Sequence, residues 1–334
     1  MEVIDALLFE IRDESQITDS RRKIAKFAKL SGVEDKIIDR LSITCTEFGT
    51  NLLKHTSEGG KLIVQSLSQS DGVGVEIYAI DSGRGMNTDE CLEDGISSSG
   101  SFGTGLGAIK RLTDESNFFS KPGSGTVIQT RTWTSPPTTT DFQFGAFTVP
   151  KRGEEISGDK WALERTANHL YCMLVDGLGH GVEASDAAQL AKKRFRENLN
   201  APPSEVLKAM HLSLRGSRGA VGAVARIDFD KGVVDYSGLG NVAGVVLTSG
   251  QRKHMVSMNG TLGYEGRKIN QLSVPWNPNS VLVMHSDGLD SKTFHSLDDV
   301  SEQPAQIIAG WLYMMHAKST DDETILVVKQ SRGK

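Results

Sequence analysis

Cysteine is scarce: three residues, Cys45, Cys91 and Cys172, lie far apart in 334. An odd, scattered set supports neither a disulfide framework nor a zinc site, so they read as reduced thiols filling core space. No run of eighteen apolar residues occurs, and no helical membrane span is expected. The start, MEVIDALLFEIRDES, lacks the basic head and apolar centre of a secretory signal. Basic residues are outnumbered, 37 Lys and Arg against 42 Asp and Glu, for a net charge of -5. A nucleic-acid binder needs a basic face, so none is expected. The expectation is a cytoplasmic protein with neither a nucleic-acid nor a membrane partner.

What is present divides in two. At about 100–200 residues per domain, this length suggests two domains. The segment TSPPTTT at 134–140 has adjacent prolines, five hydroxyl residues and nothing apolar. It can bury nothing and reads as a linker between a domain at 1–133 and another at 141–331. In the first half, a strand fits 3–11. A helix fits from about Asp19 to Leu30, with Ile24, Phe27 and Leu30 on one face and Gly32 as its stop. A longer helix fits 34–55, with Ile37, Ile38, Leu41, Cys45, Phe48 and Leu52 as its stripe. Strands fit 61–67, 73–80 and 126–133, and a short helix begins near Gly105. Helices on one face of a mixed sheet make an α/β sandwich. The second half has seven strand-like runs and three helical stretches, at 182–198, 203–214 and 304–317, which suggests two packed sheets with helices outside. The fold class is α+β in both halves.

In the first half, TEFGTN at 46–51 places Glu47 and Asn51 one turn apart on a helix face, with His55 a turn further. The strand VEIYAI ends in DSGRGM at 81–86, an aspartate followed by Gly83 and Gly85. Then SSSGSFGTGLGAIKRL at 97–112 runs a glycine-rich loop into a helix. Glycines let backbone N–H groups approach phosphate, and a helix N-terminus adds a favourable dipole. Each signal is weak alone, and the three in this order are strong.

These residues resemble the Bergerat (GHKL) ATPase fold, and more closely the serine/threonine kinases of bacterial partner-switching modules, which include anti-sigma factors and the stressosome switch kinase. The resemblance spans the whole first half. It implies ATP and Mg2+ as cofactors, with Asn51 holding the metal against the phosphates and Glu47 as base. It also implies Asp81 on the adenine amine, with Gly83 and Gly85 beside it, Gly103, Gly105 and Gly107 around the phosphates, and Thr126 near the base. Phosphoryl transfer needs metal, positioned phosphate and an oriented acceptor, and this set supplies those roles. No helical hairpin with a phosphoacceptor histidine precedes the first strand, so a protein hydroxyl is the expected acceptor.

The second half scatters aspartates at turns and strand ends: Asp159 in ISGDKW, Asp176 in VDGLGHG, Asp287 in HSDGLD, and Asp321 and Asp322 in TDDETILVV. Each alone is an ordinary turn residue. Together they are hard oxygen ligands of the kind that suits Mg2+ or Mn2+, and two such ions can clamp a phosphoryl group and activate water. The order SGD, DGxGHG, SDG, DDxT resembles the metal-dependent PPM protein phosphatases of the bacterial sporulation and stress branch, over about 141–330, and implies an αββα sandwich. The resemblance implies two ions, with Asp176 bridging them, the Gly177 carbonyl ligating one, and Asp159, Asp287 and Asp321 completing the shell. Asp322 stands where many relatives have Asn. Asn241 in SGLGN is expected as support. Relatives outside this branch carry a histidine directly after DG; here Leu178 stands there, and the acid role is not carried to His180.

The combined expectation is a bifunctional partner-switching regulator. It phosphorylates and dephosphorylates a STAS-domain antagonist, with a sigma factor or an accessory regulator as further partners. The alternative is a phosphatase whose first domain only binds ATP and a partner.

Overall fold

The computed structural model describes residues 2–3, 6–69, 72–86, 102–135, 137–138, 140–264 and 268–331, in two compact units, Met1–Thr139 and Thr140–Lys334. The first unit runs β1 (Glu2–Val3), β2 (Leu7–Ile11), α1 (Glu14–Leu30), α2 (Asp35–His55), β3 (Gly60–Gln69), β4 (Gly72–Asp81), α3 (Phe102–Leu112), β5 (Glu115–Lys121) and β6 (Gly125–Trp133). Its sheet has the order β1-β3-β4-β6-β5, with β2 also pairing β3. The strand expected at 3–11 is therefore two short pieces, both antiparallel to β3.

The first helix begins at Glu14, five residues before the apolar pattern places it. Asp13 caps it, accepting from the amides of Ser15 at 2.8 Å and Gln16 at 3.1 Å, while Gln16 Oε1 accepts from the Asp13 amide at 3.2 Å. This reciprocal capping box satisfies end groups that the helix itself cannot. The buried stripe is Ile17, Ile24, Phe27 and Ala28; Leu30, at the frayed end, is 78% exposed. Gly32, at φ +84, ends the helix as expected. In α2, Ile37, Leu41, Cys45, Phe48 and Leu52 are buried and pack with α1 onto Leu62, Val64, Ile77 and Ala79 of the sheet. The other face of the sheet carries a buried polar cluster. Glu76 accepts from Gln65 at 2.5 Å, from Gln129 at 2.7 Å and from Arg131 Nε at 2.8 Å.

The second unit runs β7 (Phe142–Val149), β8 (Asp159–Arg165), β9 (Leu170–Gly177), α4 (Val182–Glu197), α5 (Pro203–Ser213), β10 (Ala220–Asp228), β11 (Val233–Leu239), β12 (Ala243–Thr248), β13 (Gln251–Met255), β14 (Leu272–Pro275), β15 (Val281–His285), α6 (Ala305–His316) and β16 (Glu323–Gln330). Two antiparallel sheets, β14-β11-β10-β9-β8 and β13-β12-β15-β16-β7, pack face to face, and Phe144 on β7 meets Trp161 on β8 with ring centroids 6.2 Å apart. Helices α4 and α5 cover the first sheet and α6 the second. Four strands have no counterpart in the sequence reading: β5, β8, β13 and β14. All four are sheet edges. Three of them carry charged residues, as QRKHM in β13 does, which erases the alternation that marks a strand, and β14 is only four residues long.

No helix among the described residues is long and apolar enough to cross a membrane.

Candidate functional site

Each unit presents one set of polar groups drawn from distant parts of the chain. In the first, Glu47, Asn51 and His55 lie half-buried along α2. Asp81 ends β4 directly opposite Thr126 on β6. Its Oδ1 accepts from the Gly83 amide at 2.9 Å. Burial raises the Asp81 pKa, and the hydrogen bonds from Gly83 and Thr126 pull it back. Ser120 lies 3.0 Å from the Thr126 hydroxyl and accepts from the Met86 amide at 2.9 Å, which pins the DSGRGM turn to β5. Gly85, at φ +59, has no room for a side chain, because a Cβ would lie 2.0 Å from the Lys121 carbonyl. Burial, with help from Arg84 and Lys54, holds His55 below its usual pKa.

Helix α3 starts at Phe102 and not near Gly105, so Gly103 and Gly105 are in its first turn. First-turn N–H groups have no partner within a helix and suit an anion. Gly107 sits one turn further in, where an amide is committed to the helix ladder. Residues 97–101 of the expected loop lie outside the described residues. A carboxylate and hydroxyl that can accept from an amine, an amide side chain on a neighbouring helix and free helix N–H groups form a donor set that fits a nucleoside triphosphate with its cation.

In the second unit, Asp159 opens β8 and Asp176 nearly ends β9, and the two are direct cross-strand partners. Asp287 follows β15, and Asp321 and Asp322 precede β16. Asp176, Asp287 and Asp321 line a cavity of about 420 Å3, together with Lys151, His180 and Asn241. Asp159 is buried behind them, and its Oδ2 has no hydrogen-bond partner. Burial raises Asp159 to about 7 against the pull of the Ser286 and Thr324 hydroxyls. Burial first, then repulsion from Asp159, Asp287, Asp321 and Asp322, raises Asp176 to about 9. Asn241 Nδ2 donates to Asp287 Oδ2 at 2.7 Å, the supporting contact expected of it. Gly177 packs where a Cβ would meet the Ala184 carbonyl at 2.1 Å, so α4 can lie directly against this strand end.

Among the described residues, no three His, Cys, Asp or Glu side chains are arranged to hold an ion by themselves. Asp176, Asp287 and Asp321 nonetheless line one cavity. The set still fits divalent cations. A buried carboxylate oxygen without a partner and a ring of mutually repelling carboxylates both call for positive charge, and hard cations complete their shells with water and backbone carbonyls.

Asp322 has a different job from its neighbours. Its Oδ1 accepts from the Lys151 amide and its Oδ2 from the Gly158 amide, each at 2.8 Å. It thereby closes both ends of the loop that leads into Asp159. That loop also carries Glu154, whose Oε1 lies 2.7 Å from His180 Nδ1. Lys151, Glu154 and the clamping role of Asp322 are absent from the sequence reading. They sit in a polar stretch without periodicity, and no local signal marks them.

Residues 10–132 match the family model described as a histidine kinase-like ATPase domain, and residues 166–331 match the one described as stage II sporulation protein E. The chain is 30% identical over 130 residues to the serine/threonine-protein kinase RsbT of Bacillus subtilis, covering 39% of this chain and 97% of that protein. It is 22% identical over 182 residues to the phosphoserine phosphatase RsbX of the same organism, covering 54% of this chain and 91% of that protein. A crystal structure of RsbX in complex with magnesium shares the fold, with a TM-score of 0.54 and 22% identity over 58% of this chain and 98% of that one. The first unit is thus a GHKL-type ATPase domain and the second a PPM-type phosphatase domain.

Proposed function

We propose that this chain, which belongs to the histidine kinase-like ATPase family through its first unit and to the sporulation-type PPM phosphatase family through its second, sets the phosphorylation level of a partner protein by adding and removing phosphate on a Ser or Thr. The observation that carries this reading is the pairing, in one chain, of a nucleotide-type site built on Asn51 and Asp81 with an acidic cavity built on Asp176, Asp287 and Asp321.

In the first unit, Asp81 and Thr126 would receive the base of ATP, the first turn of α3 its phosphates, and Asn51 would hold Mg2+. Glu47, one turn away, takes the proton from the acceptor hydroxyl. In the second unit, Asp159, Asp176, Asp287, Asp321 and the Gly177 carbonyl would hold two Mg2+ or Mn2+ ions. Such ions supply Lewis acidity for phosphoester hydrolysis. Asn241 fixes Asp287, and Asp322 fixes the loop before Asp159.

The partner is a STAS-domain protein, acting in the cytoplasm, with a sigma factor or accessory protein as the further regulator. Phosphate adds about -1.5 to -2 charges to such a partner and switches its docking. Unregulated, the two activities would cycle ATP uselessly, so occupancy by a partner gates one of them.

The test is intact-mass analysis of a STAS partner with this protein, Mg-ATP and Mn2+. Phosphate should accumulate with Asp287→Asn and fail to appear with Glu47→Ala, and the wild type should strip a pre-phosphorylated partner. If no variant adds phosphate while the wild type removes it, the first unit is an ATP-binding docking module only.

A further inference from the structure

Beside the acidic cavity, on the segments that carry Leu178 of its lining, three large apolar side chains are exposed. Leu178, Val182 and Tyr264 are 37%, 60% and 63% exposed. They come from the turn after β9, the first residue of α4 and the connection between β13 and β14. Contacts join the three segments into one rim. The Leu178 amide donates to the Gly219 carbonyl at 3.1 Å. The Arg218 guanidinium lies over Gly179, 3.3 Å from where a Cβ would stand, and its Nη1 pairs with Glu183 at 3.0 Å. The Tyr264 hydroxyl donates to the Ser217 carbonyl at 2.9 Å, and its ring rests on Gly219. Leu178 also lines the cavity beside Asp176.

We propose that this rim docks the residues on either side of the phosphorylated Ser or Thr of a protein substrate, and that it selects substrates with an apolar side chain next to the phosphate. The inference rests on the phosphatase reading of the second unit. The phosphorus of a phosphoserine lies close to its own backbone. A substrate whose phosphate reaches the carboxylates therefore lays its neighbouring residues over the cavity edge, where Leu178 lies, within reach of Val182 and Tyr264 on the joined segments. Exposed apolar side chains with a polar border mark surfaces of this kind. Charge favours the same occupant: the cavity is acidic, and the rim's Arg218 is already neutralised by Glu183. Three carboxylates against the one Lys151 line the cavity, so an acidic flank meets net repulsion, whereas an apolar flank gains by burying the rim.

The test uses the full chain with Mn2+ and three probes: p-nitrophenyl phosphate, a phosphoserine peptide flanked by Leu, and the same peptide flanked by Gln. Wild type should turn over the Leu peptide with a kcat/KM about tenfold higher, the scale on which an apolar contact discriminates. Val182→Ser and Tyr264→Ala should each erase most of that preference, through KM, and leave p-nitrophenyl phosphate turnover within about twofold. Serine is tolerated at a helix start, so Val182→Ser should fold, which circular dichroism checks. Equal use of both peptides by the wild type, or a preference that survives both substitutions, overturns the docking surface. If p-nitrophenyl phosphate is not hydrolysed at all, the phosphatase reading fails separately. Fluorescence anisotropy of the same peptides then decides the docking: tighter binding of the Leu peptide, weakened by Val182→Ser, upholds it, and equal binding overturns it.

Discussion

Asp159 and Asp176 face each other directly across the β8–β9 pairing, so two carboxylates share one side of the same sheet end. Burial, and for Asp176 repulsion from the neighbouring carboxylates, drives both toward the protonated form in the metal-free chain, Asp159 to about 7 and Asp176 to about 9, from an ordinary 3.8.

This relationship predicts how the metal-free protein responds to pH. Both folded-state pKa values are raised above the unfolded value. Their stabilising contribution is complete below about 3.8 and is lost as pH rises through about 7 and about 9. Asp176→Asn removes the more strongly shifted group. Without metal at pH 8, the variant should melt above wild type, with the gap closing toward pH 4. Mn2+ should raise the wild-type melting temperature more than the variant's. Differential scanning calorimetry in chelator and in Mn2+ checks both; a variant that melts below wild type at pH 8 in chelator contradicts the reading.

Asp322→Ala should behave as a structural lesion. It leaves the buried Gly158 amide and the Lys151 amide without their acceptors. An unsatisfied buried donor costs about 1–3 kcal/mol, and the loop before Asp159 loses its closure. Urea unfolding should show that loss together with reduced phosphatase activity. Asp287→Asn, at an exposed position, should reduce activity with little change in urea midpoint. Equal urea midpoints for the two variants would remove the distinction.

In the first unit, Glu47→Ala and Asp81→Asn should separate binding from transfer. With Asp81 proposed to receive the base, Asp81→Asn should weaken nucleotide binding by about tenfold or more. Glu47→Ala should bind ATP nearly as wild type does and transfer nothing. Titration calorimetry with ATP, beside phosphotransfer to the partner, reads both. Loss of ATP affinity in Glu47→Ala would place that residue in nucleotide binding instead.

The buried Glu76–Arg131 pair gives a prediction independent of either activity. Burial raises Glu76's pKa against the pull of Arg131, Gln65 and Gln129. Arg131→Met leaves that carboxylate buried without a counterion, a loss of about 3–5 kcal/mol. Glu76→Gln combined with Arg131→Met should recover most of it, because no charge is then stranded. Urea unfolding of the single and double variants decides; a double variant no better than the single would show that the ion pair itself is not the issue.

The elements that pack in the interiors of the three sheets were legible because they obey local rules. The stripe Ile37, Leu41, Cys45, Phe48 and Leu52 repeats at helical spacing, and AVGAVARID and VLVMH are buried strand runs. Four edge strands escaped: charges break the pattern of β5, β8 and β13, and β14 is only four residues long. The start of α1 escaped because a capping box is a hydrogen-bonding signal rather than an apolar one.

By itself, the sequence determined the two-unit composition and nominated Glu47, Asn51, Asp81 and the aspartates, because residue type and local spacing encode chemistry and periodicity. Only the tertiary structure decided that Asp159 stands opposite Asp176, that Asp322 clamps a loop while Asp321 faces the cavity, and that Leu178, Val182 and Tyr264 form one rim. Those relations depend on strand register and on packing between residues as far apart as Lys151 and Asp322. Such contacts form only when the hydrophobic core closes, and no short stretch of sequence contains both partners.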